Sequence, residues 1–151
     1  MSERETAREP VPVRPEQPGE AALLALSRQE FAQAIRALLR DLHRPDRLVH
    51  NPLLQCRLVE SRLPGTPGAD PGPEARMAAL REVLREAMAT LQASPRDAKG
   101  FRALRRTYLA PAPSQEVAAQ VLGLPSSTYR RHLSAGLQAV TDILWEQELH
   151  A

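Results

Sequence analysis

Aromatic residues are scarce. Only Phe31, Phe101, Tyr108, Tyr129 and Trp145 occur in 151 residues. A core must therefore come from Leu, Ala, Val and Met, a composition that favours helices, since strands prefer aromatic and β-branched side chains. Cysteine is nearly absent. Cys56 stands alone, which excludes a disulfide framework and a cysteine-rich metal site, and a small buried hydrophobe is expected there. No apolar run approaches the eighteen or so residues needed to span a membrane. The first residues are charged from Glu3 to Glu9 with no apolar stretch, so a secretory signal is not expected and a cytoplasmic protein is. Lysine is limited to Lys99, against nineteen arginines. Codon usage in a G+C-rich genome accounts for that imbalance, and arginine also suits phosphate and guanine contacts better than lysine.

The positive charge is concentrated. Residues 1–25 carry a net −2 and residues 26–95 a net +2. Residues 96–135 hold seven cations against Asp97 and Glu116, a net +5, and residues 136–151 return to −3 through Asp142, Glu146 and Glu148. A basic zone of this kind is what holding a phosphate backbone requires.

Periodicity divides the chain into four parts. Residues 1–25 are rich in Pro, Glu and Arg with little to bury, and read as a disordered tail. Residues 26–63 read as a helical pair. Ser27 and Glu30 form a capping box for a helix whose apolar face is Phe31, Ile35, Leu38, Leu39 and Leu42, ended by Pro45. A second helix starts at Asn51-Pro52 and carries Leu53, Leu54 and Leu58 to Pro64. Seven of the ten residues in 64–73 are Pro or Gly, which marks a linker. Residues 74–151 form the last part. A helix over 74–93 presents Met77, Leu80, Val83, Leu84, Ala87, Met88 and Leu91, and another, capped by Ser94, runs to Leu109 with Phe101, Leu104 and Tyr108 inward. No strand alternation is visible. The fold class is all-α, a small helical bundle.

Residues 114–137, SQEVAAQVLGLPSSTYRRHLSAGL, are the most informative stretch. Ser114 caps a short helix with Glu116 in its first turn, where the helix dipole favours negative charge. Val117, Val121 and Leu122 are its expected apolar side, with Ala118 small where a neighbour crosses. Gly123 takes the sharp turn and Leu124 plugs the gap between helices. Pro125 and Ser126 open a longer helix, with Tyr129, Leu133 and Leu137 inward and Ser127, Arg130, Arg131 and Ser134 outward. A short helix, a glycine turn and a longer helix with arginines on its exposed face describe a helix-turn-helix, whose second helix enters the DNA major groove.

On Val117-Ala118, Leu122-Gly123-Leu124, Thr128, Leu133 and Leu137, the segment resembles the helix-turn-helix of bacterial sigma factor region 4 and of response-regulator output domains. The resemblance covers about 25 residues. It implies that Ser126, Ser127, Arg130, Arg131 and Ser134 face the groove and that Ser114 and Gln115 touch backbone phosphates. Pro125 departs from the small polar cap common in these families, and Tyr129 from their aliphatic core residue. Tyr129 is expected half-buried, its hydroxyl reaching a phosphate or water. Arg102, Arg105 and Arg106 would hold phosphates, and His132, following Arg131, is placed to touch one. The aromatic-rich promoter-melting part of a complete sigma factor is not present.

Double-stranded DNA is thus the expected partner, for a transcriptional regulator or accessory factor. The alternative is a protein-interaction module that docks on a polymerase or signalling protein. Trp145 and the acidic C-terminus favour that alternative, and Trp145 also offers a dimer contact. His43, His50, His132 and His150 are scattered without metal-ligand spacing, and no metal, cofactor or enzymatic constellation is expected.

Overall fold

The computed structural model describes residues 25–65 and 70–151. The expected tail up to residue 24 and the centre of the Pro/Gly stretch lie outside the described residues. Helix α1, Arg28–Arg40, begins as its sequence demands. The Ser27 hydroxyl accepts from the Glu30 amide at 3.1 Å, and the Glu30 carboxylate accepts from the Ser27 amide at 2.9 Å. Its face of Phe31, Ala34, Ile35, Leu38 and Leu39 is buried. Pro45 does not simply end this helix. It is the first residue of a short α2, Pro45–Leu48, where its missing N–H has no intrahelical partner to lose.

The single helix expected from Asn51 is broken. Pro52–Gln55 is a 3-10 turn, Cys56 is extended, and α3 is one α-turn, Arg57–Glu60. The cause is tertiary. A carboxylate from the far end of the chain, Glu148, accepts from the Leu58 amide at 2.9 Å and the Arg57 amide at 3.2 Å, capping α3 from outside. Asn51 does cap as expected, accepting from the Leu53 amide at 2.8 Å, and it also donates to the Ala34 carbonyl at 3.0 Å.

Helix α4, Pro73–Ala93, buries every apolar residue expected of it. It also buries Arg76, whose guanidinium donates to the Leu54 carbonyl at 3.0 Å and to Glu60 at 2.9 Å. The helix expected from Ser94 to Leu109 is divided into a 3-10 turn at Pro95–Asp97, helix α5 at Ala98–Leu104, and a wider π-helical turn at Arg105–Leu109. A short α6, Gln115–Val121, precedes the 25-residue α7, Ser126–His150. At 1.5 Å per residue α7 is about 37 Å long, and it runs unbroken through Gly136. Among the described residues there is no strand.

Helix α7 is the spine. Its C-terminal half packs on α1, where Phe31 and Trp145 meet edge to face with ring centres 5.1 Å apart, and Arg28 covers the indole while pairing with Asp142. Its middle crosses α5 at Gly100 and Gly136. A Cβ on Gly100 would lie 2.8 Å from the Gly136 Cα, and one on Gly136 would lie 2.6 Å from the Gly100 carbonyl oxygen. The contact is backbone against backbone. Buried side chains from α1, α3, α4, α5, α6 and α7 make one cluster, so residues 26–63 and 74–151 share a core.

Substituting Gly136→Ala gains about 1 kcal/mol of helix propensity, but it forces α5 and α7 apart, at a cost of about 1–3 kcal/mol for overpacking and more where backbone must move. Thermal unfolding should show Tm lowered by roughly 3 °C or more. Gly65→Ala, with nothing within 4 Å of the new methyl, serves as the neutral control. An unchanged Tm in the first variant would show that the helices do not meet there.

Candidate functional site

Helix α6, the turn after it and the first half of α7 lie together at the end of the molecule that carries α5. Ser114 caps α6 as expected, accepting from the Val117 amide at 3.1 Å. The exit from α6 is a Schellman motif. The Leu124 amide donates to the Ala119 carbonyl at 2.8 Å and the Gly123 amide to the Gln120 carbonyl at 3.0 Å. Gly123 sits at φ +69°, which glycine adopts without the steric cost other residues meet. Leu122 and Leu124 are half-buried against the core on either side of it.

Which face α6 buries differs from the sequence expectation. Ala118 and Ala119 are buried, at 1% and 2% exposure, whereas Val117 and Val121 are 36% and 53% exposed. The helix is turned by about one residue, or roughly 100°. Methyl groups on the inner face let the α6 backbone lie close to α7 and the π-helical turn, where the valines would hold it off. Ala118 is inward as expected, but its inward neighbour is Ala119 rather than Val117 or Val121.

Tyr129 requires a second correction. It is fully buried, and its hydroxyl donates to the Ala103 carbonyl at 3.1 Å and is shared with the Thr107 hydroxyl. It touches no solvent and cannot reach a phosphate. This hydroxyl engages the α5 backbone where the chain widens into the π-helical turn, one of the usual causes of such a departure.

The other expected site residues are all exposed: Arg102, Arg105, Arg106, Ser114, Gln115, Ser126, Ser127, Arg130, Arg131 and Ser134. They are not all in one place. Arg102 and Arg131 line one hollow of about 330 Å³ together with Lys99, Thr128 and His132. Arg106, Ser114 and Gln115 line a second, of about 210 Å³, between the π-helical turn and the start of α6. Ser134 faces a third hollow, between α7 and α1, with Arg28 and Arg36. Arg105 lines none of these.

The electrostatics of this end are one-sided. Residues 98–135 contain Lys99, Arg102, Arg105, Arg106, Arg130 and Arg131 and a single acid, Glu116. None of these cations takes part in any ion pair among the described residues. Among the described residues, Arg131 donates to the Thr128 hydroxyl alone, at 3.3 Å. His132 is half-buried, with its Nδ1 buried and unpartnered. Burial foremost, then Lys99, Arg131 and Arg102, hold its imidazole below the ordinary value. Sequence reasoning left Lys99 out of the site. The i, i+3 step from Lys99 to Arg102 puts both on one side of α5, but only the packing shows that this side faces Arg131.

Cys56 is buried, its thiol pushed up to about 12 by burial and by Glu148. Among the described residues no group of His, Cys, Asp or Glu could hold a metal ion.

Removing the Tyr129 hydroxyl (Tyr129→Phe) leaves the Ala103 carbonyl without that donor. It should cost about 1 kcal/mol of stability and leave any affinity for nucleic acid unchanged. Parallel denaturant unfolding and DNA titration check this, and a loss of DNA affinity at unchanged stability would return Tyr129 to the interface. No protein-family model, curated protein or solved structure matches this chain.

Proposed function

We propose that α6, the Gly123 turn and α7 form a helix-turn-helix, and that the protein binds double-stranded DNA as a transcriptional regulator or accessory factor. The observation that carries this reading is the charge of residues 98–135, six exposed cations without a carboxylate partner on the same end as that unit. Elsewhere, Arg36, Arg44, Arg47, Arg57 and Arg81 also take part in no ion pair among the described residues, but they are spread over several elements among acids.

The roles follow from position. The exposed residues of the first turns of α7, Ser126, Ser127, Arg130 and Arg131, would enter the major groove, where an arginine can bond guanine O6 and N7 together. Ser134 would lie at the groove's edge, on the α1 side. Gln115 and Arg106, sharing a hollow at the start of α6, would meet one stretch of phosphate backbone, and Arg102 and Arg105 its continuation. The Ser114 hydroxyl is already committed to capping, so its contribution would come through the backbone amides it orients. One such unit has a small footprint, and a second copy or another protein would be needed for tight binding.

A second reading, docking on a larger protein, is favoured by a different observation. Val117 and Val121 stand one turn apart on the outer face of α6, exposed and apolar. Trp145, which the sequence suggested for that role, is half-buried against Phe31.

Binding of the purified chain to random-sequence duplex DNA at two salt concentrations separates the readings. The DNA reading expects a log–log salt slope of about −3.5 or steeper, the mark of roughly four neutralised phosphates. It also expects Arg130→Ala/Arg131→Ala to weaken binding by at least about tenfold, since each bidentate arginine contact contributes roughly 1–3 kcal/mol. Failure of wild type and mutant alike to bind at low salt would overturn it and leave the docking reading.

A further inference from the structure

We infer that the hollow between α5 and α7 is a site for one phosphate group, and that His132 takes up a proton when the site fills. The inference rests on the DNA reading for where that phosphate comes from, a backbone phosphodiester beside the groove-facing arginines.

The site follows from the helix crossing. At Gly100 and Gly136 the two backbones touch, and the carbonyl of His132 lies 3.4 Å from where a Gly100 Cβ would be. This pins His132 beside α5. From there Lys99 and Arg102 project from one helix, and Thr128, Arg131 and His132 from the other, into the same hollow of about 330 Å³. That is roughly ten times the share of one water molecule in the liquid, ample for a tetrahedral anion. The half-buried Leu122 and Leu124 form its apolar wall.

The lining is chemically uniform. It offers three permanent cations, one hydroxyl and one imidazole, and no carboxylate. An Arg or Lys beside a phosphate oxygen makes a charge-assisted bond about twice as strong as a neutral one. His132 stands in this lining with its Nδ1 buried and without a hydrogen-bond partner among the described residues.

Proton linkage follows from the charges that face His132. These are Lys99 and Arg102 from α5 and Arg131 from its own helix. With the hollow empty, burial first and then these three charges oppose a positive imidazole and hold it below its ordinary value. A phosphate reverses the local field and stabilises the imidazolium, which then donates to it. Binding therefore raises the proton affinity of His132. By linkage, affinity for phosphate falls as pH rises between the free and bound values, and for one proton the slope cannot exceed tenfold per pH unit.

The test is a titration of the histidine ring signals by NMR at constant ionic strength, assigned with His132→Gln. It is run on the free protein, with inorganic phosphate, and with a short DNA duplex. The apparent pKa of His132 should rise by about one unit with either ligand, while His43, His50 and His150 hold still. Duplex affinity should increase about threefold or more from roughly pH 7.5 to 5.5 in wild type, and this increase should vanish in His132→Gln. Lys99→Gln, a change at an exposed position, should raise the His132 pKa in the free protein and weaken phosphate binding. If duplex binds with a steep salt dependence yet His132 does not respond, the hollow is not a phosphate site and the DNA reading survives without it. If His132 responds to inorganic phosphate while duplex fails to bind, the site stands, and the DNA reading falls in favour of a smaller phosphorylated ligand.

Discussion

The contact between Gly100 and Gly136 is the constraint from which the end of the molecule carrying the candidate site is built. Each glycine weakens its own helix by about 1 kcal/mol relative to alanine, and nothing local asks for either. Together they let α5 and α7 cross with their backbones touching. Two turns towards the start of α7, the same closeness brings the Tyr129 hydroxyl onto the Ala103 carbonyl. The chain beyond Ala103 then widens into a π-helical turn, and α6 lies against that turn and α7 through Ala118 and Ala119. The small residues form a chain of dependence. Larger side chains at Gly100, Gly136, Ala118 or Ala119 would move apart the surfaces that carry Arg102, Arg106 and Arg131.

A second set of constraints holds the irregular region between α1 and α4. Residues 44–63 have too little regular structure to satisfy their own backbone through helical bonds, and polar side chains from within the segment and from α4 and α7 complete it. Asn51 joins the Leu53 amide to the Ala34 carbonyl, Arg76 takes the Leu54 carbonyl, and Glu148 takes two amides of α3. A buried donor or acceptor left unpaired costs about 1–3 kcal/mol, so each of these three side chains fixes a segment that hydrophobic periodicity alone would leave free to shift. They also tie α3 to the two longest helices, which is why residues 26–63 share a core with the rest.

The contrast between what was legible in the sequence and what was not follows the range of the forces. The Ser27–Glu30 capping box, the α4 stripe, the Ser114 cap and the Gly123 turn are determined by neighbours within five residues, and all were readable. The break at Cys56 depends on a carboxylate ninety residues away, and the π-helical turn coincides with a tyrosine from another helix. The α6 face was misjudged because valine outranks alanine in hydrophobicity, whereas the packing there selects for smallness. Tyr129 was misplaced for a related reason. A phenol suggests a half-wet position, but here a backbone carbonyl and a threonine satisfy it internally. At the candidate site the cations themselves were visible, but the meeting of Lys99 and Arg102 with Arg131 and His132 arises only from the glycine crossing, and no local pattern pairs Gly100 with Gly136.

The charge along α7 bears on which partner this end of the bundle suits. The acidic C-terminus suggested a surface for a protein partner, but its carboxylates are already engaged. Asp142 pairs with Arg28, Glu148 caps α3, and Glu146 meets His150 one turn away. The cations at the start of the same helix have no such internal use. Exposed like charges in water repel only weakly, by about 1 kcal/mol or less at close range, so folding tolerates them but gains nothing from them. One acid of this helix is thus in an ion pair and two are in hydrogen bonds within the fold, whereas its arginines near the start are in no ion pair among the described residues, which is the asymmetry the proposed anionic partner would need.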